Sequence, residues 1–275
     1  MSAGPLPHSP PPRRGTLAAL VARRRLLAEF IVRDIRSRYF GTVTGALWSL
    51  LHPVAQLAIF AFVWGMVFKV KFPQLNDYSI VTFIAVAIWP WTMFQEGVQR
   101  AMASIPGNAD LIRKVAFPRE LLPIAGITAT FLVQLAGYVL VMALLYASGE
   151  KLHLRGLPLV LLSLVNLFLC ATALGFVLSA LHTVVRDVEH AFAPVFMLLF
   201  YATPVLYPLE MVPEGIRRYM LWNPLAVIIT RLREAWLGGA LPAGEDALAF
   251  AVALAAVFLA RAFFLRIAPY FEEFA

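Results

Sequence analysis

Six stretches of the chain are apolar over close to the roughly 20 residues that a helix needs to cross a bilayer: residues 48–70, 79–94, 121–147, 157–181, 191–207 and 247–265. The second and fifth are short and hold prolines, Pro90 in one and Pro194 with Pro204 in the other, so their ends are the least defined. Ahead of the first stretch, residues 17–41 repeat apolar Leu27, Ile31 and Ile35 at i, i+4 and i+8, while Glu29, Arg33 and Arg36 take the opposite side. That segment is too weakly apolar to span. It predicts an amphipathic helix lying in the membrane interface, with its arginines among phosphate head groups. Gly41 and Gly45 then bracket the bend into the first span. The pattern therefore predicts an all-α integral membrane protein: a disordered Pro-rich tail over 1–16, the interface helix over 17–41 and a six-span domain over 42–275.

Two polar interruptions have patterns of their own. Residues 108–120, NADLIRKVAFPRE, place Leu111, Ile112 and Val115 at i, i+1 and i+4 beside Arg113 and Lys114. One and a half turns of helix would carry these as an apolar ridge, stopped by Pro118, which pushes Phe117 toward an extended conformation. Such a segment is either a docking handle for a soluble partner or an ordinary basic loop. Residues 209–246 predict two short helices, 213–221 and 224–237, the second with Leu225, Ile229, Leu232 and Trp236 on one face and Gly238 as its stop. Apolar helices too short to cross suggest a re-entrant or interfacial outer gate, where lining a cavity would tolerate Arg231, Arg233 and Glu234.

Composition agrees with the pattern: 61% of residues are hydrophobic and the mean hydropathy is +0.77. The net charge of +7 does not point to nucleic acid, because the basic residues sort by membrane side. The N-terminal arm holds Arg13, Arg14, Arg23, Arg24, Arg25, Arg33, Arg36 and Arg38, and the loop between spans two and three holds Arg100, Arg113, Lys114 and Arg119. Short loops on the other side carry only Lys69 with Lys71 and Lys151 with Arg155. Both termini are thereby placed in the cytosol, as an even number of spans requires. The apolar run LAALVA is too short for a signal-peptide core, so no cleaved signal is expected.

Chemistry is sparse. The single cysteine, Cys170, lies inside a span, and His52, His182 and His190 have no metal spacing, so no metal site is predicted. GxxxxGK[ST], HExxH and GxSxG are all absent, and no enzymatic activity or cofactor is predicted for this chain. Trp48, His52, Gln56, Phe60, Trp64 and Phe68 recur at four-residue spacing on span one, where packing and a water-facing role are both open. Glu96 has Arg100 at i+4 as a plausible partner. Gln134, Tyr138 and Asn166 are expected to tie helices together.

Four ordered blocks, RDIRSRYFGTVTGALWSLLHP (33–53), LIRKVAFPRELLP (111–123), ATPVLYP (202–208) and LWNPLAVIITRLREAWLGG (221–239), resemble the membrane subunit of type-2 ABC exporters of polysaccharides. The charged, aromatic tail IAPYFEEFA resembles that family too, whereas the Pro-rich first residues fall outside it. The resemblance implies a homodimer in the bacterial cytoplasmic membrane, working with two copies of a separate ATP-binding subunit that holds ATP and Mg. The implied cargo is an undecaprenyl-diphosphate-linked polysaccharide, with O-antigen first and capsule or teichoic acid polymers as alternatives. Export of drugs or small lipids, and a scaffold without transport, are the other classes left open.

Residue roles follow from the same resemblance. Arg33, Arg36 and Arg38 fall on the interface helix and are expected to meet the substrate head group. Asn108, Leu111, Ile112, Arg113, Lys114, Val115 and Phe117 fall on the coupling helix, and Trp222, Asn223, Pro224 and Arg231 on the outer gate. Gln56, Phe60, Trp64 and Phe68 on span one, with Phe192, Phe196, Phe200 and Tyr201 on span five, are expected to line the channel. Packing against lipid or against spans two to four is the competing account of those aromatics.

Overall fold

The computed structural model describes residues 24–39, 51, 54–59, 61–67 and 78–271, and among them every regular element is helical. Helix α1 is Arg24–Tyr39, and a short π-helix covers Ala61–Val67. Then follow α2 (Ile80–Ala103), α3 (Ala109–Lys114), α4 (Leu121–Ala147), α5 (Leu157–Val184), α6 (Asp187–Tyr201), α7 (Glu214–Met220), α8 (Pro224–Gly238) and α9 (Gly244–Ile267). Parts of the predicted first span, Trp48 and His52 among them, lie outside the described residues, as do Gly41 and Gly45 ahead of it. Three helices are long and apolar enough to cross a membrane by length and composition: Leu121–Ala147, Leu154–Val184 and Gly244–Tyr270.

The core is built around α2. Its sequence is apolar on all sides up to Phe94, and such a helix is stable only when surrounded. Helices α4 and α5 pack along it, and α6 and α8 close its remaining flank. Ser79 starts it, the hydroxyl accepting from the Thr82 amide at 3.1 Å. The apolar stretch 79–94, whose ends Pro90 left least defined, is part of a helix that runs unbroken to Ala103. Pro90 has no N–H for the carbonyl of Val86, one turn back. Tyr138 of α4 takes over that carbonyl, its hydroxyl donating at 3.1 Å, and itself accepts from Trp236 Nε1 of α8 at 2.9 Å. The gap that proline leaves in one helix is thus filled by two others.

Other expectations are corrected. Span five was expected over 191–207, but α6 begins at Asp187 and ends at Tyr201, after which residues 202–208 turn without helix. Its 15 residues extend about 22 Å, short of the hydrocarbon thickness. Glu96 does not pair with Arg100; its carboxylate accepts from Gln134 Nε2 of α4 at 2.6 Å. A carboxamide facing it across the helix pair outcompetes a local arginine that is exposed. Tyr138 and Gln134 tie helices as expected, whereas buried Asn166 does not do so through Oδ1, which has no hydrogen-bond partner among the described residues.

A second, smaller core sits at the end of the molecule where α3 lies. Ile105, Ile112 and Leu122 meet Phe176 and Ala180 of α5, Ala260 and Phe264 of α9, and Phe271. Arg119 donates to the carbonyl of Ala268, and Arg261 of α9 meets Glu120 at 3.1 Å.

Candidate functional site

At that end, α1 packs on α4 and reaches the segment that precedes it. Arg38 is held inside the chain: its guanidinium donates to Asp34 Oδ2 at 2.7 and 3.0 Å and to Thr130 Oγ1 at 2.7 Å. A fork filled by protein acceptors has little left for a ligand. Arg33 and Arg36 are exposed instead, and with Ala28, Glu29, Val32 and Ser37 they line a groove of about 740 Å³ along α1. Among the described lining residues, two guanidiniums stand against one carboxylate, so this wall of the groove is cationic. Arg33 also donates to Asn108 Oδ1 and lies over the ring of Phe30 at 5.6 Å.

The coupling segment differs from the ridge read in the sequence. Helix α3 has only six residues, and Val115 stands beyond it in extended conformation, 51% exposed. Ile112 points the other way, 4% exposed within the second core, and Leu111 is half-buried. The helix stops one turn early because residues 115–118 run extended into Pro118, which disfavours helical geometry before it. Arg113 and Lys114 are exposed, and Phe117 is half-buried with its ring 5.5 Å from that of Phe30. Asn108 donates through Nδ2 to the Ser104 carbonyl at 2.8 Å.

The expected aromatic rows do not meet as drawn. Phe60 and Phe68, and the side chain of Trp64, lie outside the described residues; Gln56 is half-buried. Phe192 and Phe196 are buried and stacked on each other at 4.0 Å, and Phe196 stacks on Phe94 of α2 at 5.9 Å. Phe200 meets Trp91 edge-on at 5.3 Å. Phe196 and Phe200 thus face α2, with Phe192 buried against Phe196, which is the packing account, because the apolar wall of α2 offers more buried contact than a solvated surface. Tyr201 is exposed and free of that wall.

At the opposite end, α8 is clamped. Asn223 caps it, Oδ1 accepting from the Leu225 amide at 3.0 Å while Nδ2 donates to Thr203 Oγ1 at 3.0 Å, and Pro224 occupies the first turn. Its C-terminal stop is Gly239 at φ 66°, one residue beyond the expected Gly238. Arg231 joins α8 to the start of α9 through Asp246 at 2.7 and 2.9 Å, with Glu234 and Glu245 beside it. These bonds raise its pKa above the ordinary arginine value. Arg233 is buried, donates to the carbonyls of Phe83, Pro204, Val205 and Tyr207, and covers the Phe83 ring at 3.7 Å. Burial pulls its pKa down to about 9, which still leaves it a cation at neutral pH. Protein acceptors, rather than a water-filled cavity, are what tolerate these charges. Of the expected gate residues Trp222 projects furthest, 79% exposed, and Pro224 is exposed as well, whereas Asn223 and Arg231 are half-buried.

Glu120, Arg233 and Arg261 were missed by the sequence reading as functional positions. A signal existed for Arg261, the single charge within residues 247–265, since a charge inside a span has a partner almost by necessity. No grouping of His, Cys, Asp or Glu among the described residues fits a metal ion.

Comparison with known proteins gives these features a context. The O-antigen export system permease protein RfbA of Klebsiella pneumoniae is 29% identical over 219 residues, 78% of this chain and 82% of its own. The protein of that name from Myxococcus xanthus is 29% identical over 236 residues, 83% and 86% of the two chains. The polysialic acid transport protein KpsM of Escherichia coli is 24% identical over 217 residues, 78% and 81%. The profile of the ABC-2 type transporter family matches residues 25–237, from α1 through α8. With three helices apolar enough to cross a bilayer and that match over most of its length, this chain is a multi-pass membrane protein belonging to the ABC-2 type transporter family.

Proposed function

We propose that the chain is the transmembrane subunit of an ATP-driven exporter that passes an undecaprenyl-diphosphate-linked polysaccharide, an O-antigen, across the bacterial cytoplasmic membrane. Two copies enclose the path, each of six spans, and ATP is hydrolysed with Mg on two copies of a separate subunit that docks at the 108–120 segment. Both termini lie on that cytosolic side. The observation that carries the reading is the likeness, over about four fifths of both chains, to permeases named for O-antigen export, at higher identity than the polysialic acid protein. The cationic groove on α1 supports it chemically, because Arg33 and Arg36 suit a pyrophosphate through charge-assisted bonds. Arg38, already engaged by Asp34 and Thr130, positions α1 instead. Tyr201 and Gln56 are the lining residues we retain from the aromatic rows.

The test is the purified permease and ATPase complex in lipid nanodiscs, with undecaprenyl diphosphate as probe. Replacing Arg33 and Arg36 together by alanine removes probe binding, while insertion survives on the other arginines. Unchanged binding in a correctly inserted double variant would overturn the head-group assignment. In cells lacking the gene, lipid-linked polymer is expected to accumulate on the cytosolic face. Normal surface polymer with loss of efflux of a small amphiphile would overturn the polysaccharide reading in favour of drug export.

A further inference from the structure

Two independent contacts join the groove to the segment that docks the ATPase. Arg33, on the groove wall, donates through Nη2 to Asn108 Oδ1, at the start of α3. Three residues earlier on α1, Phe30 packs its ring 5.5 Å from Phe117, beyond the end of α3. Arg33 lies over the Phe30 ring, so polar and apolar contacts form one cluster that spans α3 from end to end. Asn108 is itself anchored to the end of α2 through the Ser104 carbonyl. A guanidinium has five N–H donors in a rigid plane. One of them serves Asn108, and an anion in the groove that Arg33 lines can take two of the others in parallel.

Resting on the head-group reading above, we propose that Arg33 is a relay: one side chain holding the pyrophosphate and the coupling segment at once, so that head-group occupancy is communicated to the ATPase through Asn108. A relay needs a physical link between the two sites, and the Arg33–Asn108 bond supplies it. Asn108 is then a positioning residue, which touches no substrate. Removing it separates binding from signalling.

The experiment uses the same nanodisc complex and probe, with two readouts: probe binding and probe-stimulated ATP hydrolysis. Asn108→Ala is expected to bind the probe within about twofold of the parent and to lose stimulation by about tenfold, the size of a typical coupling between two sites. Asn108→Asp, which keeps an acceptor for Arg33 but not the bond to Ser104, is expected to keep most of the stimulation. Stimulation persisting in Asn108→Ala would overturn the relay and leave the head-group site standing. Equal loss in Asn108→Asp would assign the effect to the Ser104 bond and also overturn it. Loss of binding in Asn108→Ala would overturn it too, by making Asn108 part of the site. Failure of the head-group reading itself shows separately, as full binding in the Arg33→Ala/Arg36→Ala chain.

Discussion

Single side chains carry an unusual share of the fixing in this molecule. Arg233 satisfies carbonyls on two separate segments, so Arg233→Met, similar in length but without donors, leaves buried acceptors unpaired. The expected cost is on the order of 3 kcal/mol, read as a lower midpoint of thermal unfolding in detergent. Arg233→Lys should recover little, since a point charge does not reproduce a planar fork; a parent-like midpoint for Lys would disprove this account. Its folded pKa lies below the unfolded one, so any pH effect is a gain in stability above about 9, with none between about 5 and 8. Gly156 is decisive for a different reason. A Cβ there would stand 1.9 Å from the Ala235 carbonyl oxygen, and backbone rather than a side-chain tip would have to yield. Gly156→Ala should therefore cost about 1–3 kcal/mol, the range of overpacking, read as a fall in the same midpoint.

At the scale of elements, the coupling segment has two faces that substitution can separate. Val115 is exposed and Leu111 half-buried, so replacing both with Asp should weaken co-purification of the ATPase while the unfolding midpoint holds. Ile112→Asp places a carboxylate in the second core, should cost several kcal/mol and should collapse the midpoint instead. Equal effects of the two changes would reject the division. A similar contrast separates the aromatics of α6: Phe196→Ala should cost about 3–5 kcal/mol through the cavity it leaves, and Tyr201→Ala close to nothing in stability but a loss of polymer export. Helices α4 and α5 were legible in the sequence almost to the residue, because long unbroken apolar runs have few alternatives. The ridge on α3 was not, since periodicity shows which residues share a side and not where a six-residue helix stops. The facing of Phe196 was illegible for the same reason: spacing fixes a stripe, and only the neighbouring helix decides what the stripe meets.

Over the whole molecule, the end opposite α3 is bound into one block. Asn223, Arg231, Arg233 and Trp236 fasten α8 to residues 202–208, to α9, to α2 and to α4, and the His153 amide donates to the Trp236 carbonyl at 2.8 Å. If two copies enclose the path, opening then occurs between copies and not by swinging α8 within one. Cysteines at His153 and Gly239, whose Cβ atoms would lie 3.3 Å apart, give a staple inside one chain that should leave export unchanged, at a cost of roughly 1–2 kcal/mol for a side chain at φ 66°. A disulfide between copies through Trp222→Cys should stop export until reduced, with Cys170 replaced in both backgrounds. Export that survives the second bond and fails with the first would reverse the picture. The sequence announced the blocks around residues 202–208 and 221–239 but not that they grip each other, because a hydrogen bond from Arg233 to bare carbonyls has no side-chain partner to read. Pro90 carries a last implication. A helix designer would replace it with alanine, yet the amide restored at position 90 would compete for the Val86 carbonyl with the Tyr138 hydroxyl, whose remaining bond is the one it accepts from Trp236. The three positions 90, 138 and 236 are thus expected to descend together, each change tolerable only in company with the others, so that lineages which lose the proline also trade the phenol for a phenyl ring.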